Sequence, residues 1–185
     1  MEIDKESLQK CAKGLVDLVL QGEGHALIFR ECCERDPKLK AVTFAAFCQE
    51  YVPAKLALGC VSWVGCCASH RITEKDLKNL FFKEVMSLFQ SPKSLENATR
   101  FSESLYASNA DPEQAPVLGV LVHLFHKLGL EAIVKPGDED AGGLNLGFTF
   151  MMHVAEALKN VFETQFDDVL YSHHDRLTLN ERKKA

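Results

Sequence analysis

The chain has 185 residues, of which 46% are hydrophobic and 25% charged, and carries a formal net charge of −5. That length buries a sizeable core in one domain without metal or disulfide help. The acidic balance excludes a protein that binds nucleic acid over its whole surface, which needs a concentrated basic face, and leaves only a local basic patch for that purpose. The longest uncharged apolar runs fall short of the roughly 18 residues that mark a membrane span. The opening Met1-Glu2-Ile3-Asp4-Lys5-Glu6 is charged and no signal-type apolar region follows it. An intracellular, cytoplasmic protein is the expectation. The seven cysteines (Cys11, Cys32, Cys33, Cys48, Cys60, Cys66 and Cys67) are odd in number and lie among apolar residues, as buried free thiols in a reducing compartment would.

In chain order, Asp4 is placed to cap a helix from about Lys5 to Leu20. Leu8, Cys11, Ala12, Leu15, Val16 and Val19 form its apolar stripe. Gly22 and Gly24 break the chain, and a second helix spans about His25 to Glu34. Asp36-Pro37 reads as cap and first residue of a third helix to about Tyr51, and Pro53 as the start of a fourth. Leu56 to Ala68 contains no charged residue and holds the only tryptophan, Trp63, so this helix is expected at the centre of the fold. Gly59 and Gly65 each cost roughly 1 kcal/mol of helix propensity, which points to close approach by a neighbour.

Thr73-Glu74-Lys75-Asp76 resembles a capping box and opens a fifth helix, Glu74 to Gln90. A sixth runs from about Lys93 to Ala107. Asp111-Pro112-Glu113-Gln114 signals a seventh, whose start Pro116 pushes later; it ends at Lys127, with Gly129 as its terminating residue. A long loop, Lys135 to Gly143, carries the acids Asp138, Glu139 and Asp140. An eighth helix spans about Leu146 to Leu170, and no segment alternates as a strand does. The expectation is an all-α chain of about eight helices in antiparallel hairpins, first with second, fourth with fifth and sixth with seventh. These would stack as a HEAT-like solenoid or close as a compact bundle. Residues 1–176 form a single domain and 177–185 a polar, basic tail.

Leu58-Gly59, Trp63-Val64-Gly65 and Ile72-Thr73-Glu74, with Leu27 to Glu31 and Phe44 to Cys48 before them, resemble the middle domain of the translation initiation factor four-gamma scaffold. The likeness covers roughly Val16 to Leu88, and the connection from Gly65 to Ile72 is about one residue shorter than that family's. It implies HEAT-like hairpins. It also implies a non-enzymatic scaffold in translation or mRNA metabolism, with a DEAD-box helicase, another RNA-related factor or RNA as partner.

No motif for nucleotide binding, acyl transfer or phosphoryl transfer is present, and no enzyme or cofactor is assigned. His123 and His126 share a helix face and suit a metal only with ligands from elsewhere; polar-face or interface histidines are the plain reading. The vicinal pairs Cys32-Cys33 and Cys66-Cys67, with His70, read as core packing before metal ligation. His173-His174-Asp175 reads as a solvated helix end. The candidate partner-binding face is Arg71, Lys75, Lys78 and Lys83, with Lys93 and Arg100 nearby if the sixth helix stacks beside the fifth. The acidic loop reads as a soluble flexible loop before a complementary site for a basic partner. Two other classes stay open: a globin-like helical carrier with an apolar pocket, suggested by Gly24 to Lys40, and a regulatory module dimerising through the Phe-rich last helix.

Overall fold

A computed structural model describes residues 4–110, 115–132 and 145–182. It is all-α, with eight α-helices and no strand among these residues. They are α1 (Lys5–Leu20), α2 (Glu23–Arg35), α3 (Phe44–Ser69), α4 (Lys75–Lys78), α5 (Leu80–Leu88), α6 (Leu95–Ala107), α7 (Pro116–Lys127) and α8 (Leu146–Arg182). The Asp4 carboxylate caps α1 by accepting from the Glu6 and Ser7 amides, and Leu8, Ala12, Leu15, Val16 and Val19 bury the stripe read from their spacing.

Helix α3 is the element the others pack on. It contacts α1, α2 and α4 through α8. Its 26 residues have a most apolar window of mean hydropathy 1.4, enough by length and composition to cross a membrane. Here 61% of that window is buried against the protein's other helices. Two expected helices have merged to make it. Pro37–Ala41 is only a 3-10 turn under the Asp36 cap, and Thr43 caps the true start by accepting from the Ala46 amide at 3.1 Å. Pro53 is inside the helix, not at its first position. It cannot donate to the Gln49 carbonyl, but Tyr51, Ala54, Leu56 and Ala57 are buried on either side and hold the helix through the break.

The opposite change occurs downstream. The expected helix over residues 74–90 divides at Asn79 into α4 and α5. Trp63, fully buried, donates its indole N–H to the Leu77 carbonyl at 3.0 Å, pinning α4 onto α3 where the division falls. The Thr73 capping box does not form: Glu74 takes the cap position, and its carboxylate accepts from the Thr73 amide at 3.2 Å.

Packing is not a simple succession of hairpins. α6 packs on α7 and α3 on α5, as expected, but α1 packs on α5, α3 and α8, and α2 on α8 and α3, more than on each other. Asp36, buried, accepts from Asn145 Nδ2 at 2.6 Å, and Asn145 Oδ1 accepts from the Phe148 amide at 3.1 Å. This link fixes the start of α8 beside the end of α2. Farther along α8, Phe166 meets Trp63 edge-on at 4.9 Å and Asp167 pairs with His70 at 2.7 Å.

Candidate functional site

Along α3, Ala45, Gln49, Val52, Leu56, Cys60, Val64 and Ala68 recur every three or four residues and so share one helical face. α5 and α6 cover the middle of that face, where Leu56 and Cys60 are buried, and leave its two ends exposed at Ala45 and Gln49 and at Val64 and Ala68. At these ends lie two cavities of about 420 Å³ each. The first is lined by Cys60, Val64 and Ala68 of the stripe and the second by Ala45, Gln49, Val52 and Leu56. Phe82 borders the first and Phe89 the second, while the buried ring of Phe101 on α6 lies 6.1 and 5.7 Å from them. The two cavities are thus separate, with the buried Phe101 contact between them, and the first forms a short open track at the C-terminal end of α3.

The floor is fixed and the walls are apolar. Trp63 and Phe81, both fully buried, lie beneath the first cavity. Gly59 faces inward, where a Cβ would come within 2.6 Å of the Phe81 ring, so this glycine is required by close packing. Gly65 borders the cavity itself, and a Cβ there would meet nothing within 4 Å. The expected close approach holds at Gly59 and fails at Gly65. Val64 remains 49% exposed and Phe82 39%, although both line the same cavity. The polar rim is Lys78 and Asn79 on one side and Ser108 and Asn109 on the other. Among the described residues, none that lines the second cavity is charged.

Of the cations read from the sequence, only Lys78 reaches the track. Lys75 lies with it on α4, and Arg71 lies in the turn after α3 with φ of 56°. None of the three makes an ion pair with a described residue. Lys83 sits on α5 and pairs with Asp76 at 3.1 Å. Arg100 binds Glu50 at 2.9 Å and Glu96 at 2.8 Å, so its charge is already matched. The side chains of Lys93, His173, His174 and Asp175, and the acids Asp138 to Asp140, lie outside the described residues.

The other sequence candidates do not converge. His126 is exposed, whereas His123 is half-buried and 4.0 Å from Glu103, which binds Lys127 at 2.7 Å. Burial and the nearby Lys127 hold His123 below the usual histidine range. Burial pushes the thiols of Cys32, Cys60 and Cys66 up to about 12 and those of Cys11 and Cys67 to about 11, so all five are protonated at neutral pH. No three potential metal ligands meet among the described residues.

Sequence reasoning missed two features. One is the track, because a helix apolar all round does not reveal which face its neighbours leave open. The other is His25 with Tyr51, whose rings meet edge-on at 5.3 Å while Nε2 and the hydroxyl are buried without partners. Burial and Lys55 hold His25 below its ordinary range. Comparison with known protein families, curated proteins and solved structures finds no match for this chain.

Proposed function

We propose that this protein is a non-enzymatic helical adaptor that receives a protein partner at the first cavity, beside the C-terminal end of α3. The observation that carries the reading is the track itself: half-exposed Val64 and Phe82 above the buried rings of Trp63 and Phe81. Exposed apolar surface rimmed by polar groups is the mark of an interaction site. None of Lys78 on the cavity rim, Lys75 on the same short helix and Arg71 in the turn before it makes an ion pair among the described residues, and the three favour an acidic partner surface. Arg71 adds to this, because an arginine kept in a backbone conformation that favours glycine suggests that its side chain is used.

The closed packing around α3 fits a compact bundle better than a stack of consecutive hairpins. The resemblance of Leu58 to Glu74 to the four-gamma middle domain supports a cytoplasmic role in translation or mRNA metabolism, with a DEAD-box helicase or another RNA-related factor as the partner class. Among the described residues, no histidine lines either cavity, which weighs against the haem-carrier alternative.

The test is a photoreactive residue placed at Val64 in the full chain, with the same residue at Tyr171, which is 64% exposed and outside the track, as control. Crosslinks in cells to a defined protein segment from position 64 and not 171 are the expected result. No protein adduct, or equal adducts at both positions, would remove the track as the binding site.

A further inference from the structure

The first cavity also constrains the chemistry of what enters it. We infer, on the adaptor reading above, that the partner presents a short segment anchored by one phenylalanine side chain, with an acidic residue one to three positions away on the side of Lys78.

The size comes from the cavity. Its volume of about 420 Å³ stands near the lower end of the roughly 300–1,000 Å³ range of ligand pockets. It therefore holds a single large side chain and a small neighbour, not the length of a helix. The buried middle of α3, at Leu56 and Cys60, and the buried ring of Phe101 separate it from the second cavity, so the segment that fills it is short.

The anchor follows from the lining. Trp63 and Phe81 are fully buried at the base, with ring centroids 6.4 Å apart, and Val64 and Phe82 stand half-exposed above them. A ring entering here meets other rings, which favours an aromatic over an aliphatic anchor. Two of the polar groups at the cavity are already engaged. The Trp63 indole N–H donates to the Leu77 carbonyl at 3.0 Å. The buried Ser108 hydroxyl donates to the Leu105 carbonyl at 2.6 Å and accepts from Asn109 Nδ2 at 3.0 Å. A phenol hydroxyl carried to the base would find these donors occupied, so phenylalanine is preferred to tyrosine.

The charge follows from the rim, whose two sides differ. Lys78 and Asn79 stand on one side, Ser108 and Asn109 on the other. Lys78 makes no ion pair with a described residue, and Lys75 lies three positions before it on the same helix, so the two share a face. Lys83, by contrast, is matched by Asp76. The acid thus belongs on the Lys78 side of the ring. An extended segment advances about 3.3 Å per residue, which brings an acid within three positions of the ring to that rim. Asn79 and Asn109, on opposite sides, offer amide groups to the backbone of such a segment.

The test selects random decapeptides against the full chain, with counter-selection on a Gly65→Leu variant. Gly65 has open space above it, so leucine grows into the first cavity without touching the core. Val64→Glu, at an exposed position, is a second block that places a charge among the cavity's apolar walls. Circular dichroism confirms that each variant is folded.

The expected result is enrichment of peptides with one phenylalanine and an acid one to three positions from it. Their affinity should fall at least tenfold when that ring is cut to alanine and about fivefold when it becomes tyrosine. It should fall at least tenfold in Gly65→Leu and in Val64→Glu, and about fivefold in Lys78→Glu. The inference fails if nothing is enriched, if the selected anchor is aliphatic, if tyrosine replaces phenylalanine without loss, or if Lys78→Glu leaves binding unchanged. It fails also if sedimentation shows a homodimer that Gly65→Leu dissolves, since the occupant is then a second copy of this chain. Protein crosslinks at position 64 combined with any failure in the selection would leave the adaptor reading standing and remove only the anchor. No crosslink at position 64 would remove both together.

Discussion

Two glycines on α3 show how little sequence type says about the role of a residue. At Gly59 an added Cβ would lie 2.6 and 2.8 Å from Phe81 ring atoms and 3.1 Å from Phe162. Overpacking of that kind costs about 1–3 kcal/mol and outweighs the roughly 1 kcal/mol of helix propensity that alanine adds. Gly59→Ala is therefore expected to lower unfolding stability by about 1–2 kcal/mol. At Gly65 there is no contact to offset the gain, and Gly65→Ala should raise stability by about 0.5–1 kcal/mol. Urea titration of both variants checks the pair, and a loss at Gly65 would mean that the cavity is already filled. The cysteines repeat the lesson. Cys60, Cys66 and Cys67 are core residues, as their neighbours in sequence suggested, and burial keeps their thiols protonated.

Elements were legible where termination is local and illegible where it depends on contacts. α7 ends as read: Gly129 has φ of 72°, its amide bonds to the His126 carbonyl, and Leu130 bonds to Phe125 at 2.8 Å. α3 ends by the same geometry, with Arg71 bonding to Ala68 and Ile72 to Cys67 at 2.8 Å, but Arg71 stands where glycine is usual. A left-handed conformation costs an L-residue roughly 1–2 kcal/mol. Arg71→Gly should thus raise stability by about 0.5–1 kcal/mol in thermal or urea unfolding while weakening partner binding; a loss of stability would show that the arginine side chain supports the turn. Pro53 and Thr73 misled for one reason. Both match local start signals, yet burial around Tyr51 carries α3 through the proline, and the indole of Trp63 holds Leu77 where the next helix would have continued. The exposure of Val64 and Ala68 at the end of α3 has no local signature at all, because it depends on how α5 and α6 sit.

For the whole molecule, helix content and the central place of Leu56 to Ala68 were readable from periodicity, whereas pairing was not. α1 packs on α5 and α8, and α2 on α8, because distant chain segments supply the apolar faces they need. The same closure buries titratable groups and makes stability depend on pH. His25 and His123 both have folded values lowered mainly by burial. Protonation then favours the unfolded chain, so their contribution is fully present above the ordinary histidine value of about 6.5 and is lost as pH falls below it. Unfolding free energy should be flat with respect to these groups above pH 7 and decline from about pH 6.5 downward, with His25→Gln reducing the slope; an unchanged slope would place the proton uptake elsewhere. The central claim is that this closure leaves the first cavity, at the C-terminal end of α3, open for a partner. Crosslinking from Val64, with Tyr171 as control, tests it most directly. The account predicts adducts with a defined protein segment from position 64 alone, abolished by Gly65→Leu in the same chain. Adducts that persist in that variant, or that form equally from position 171, would contradict it.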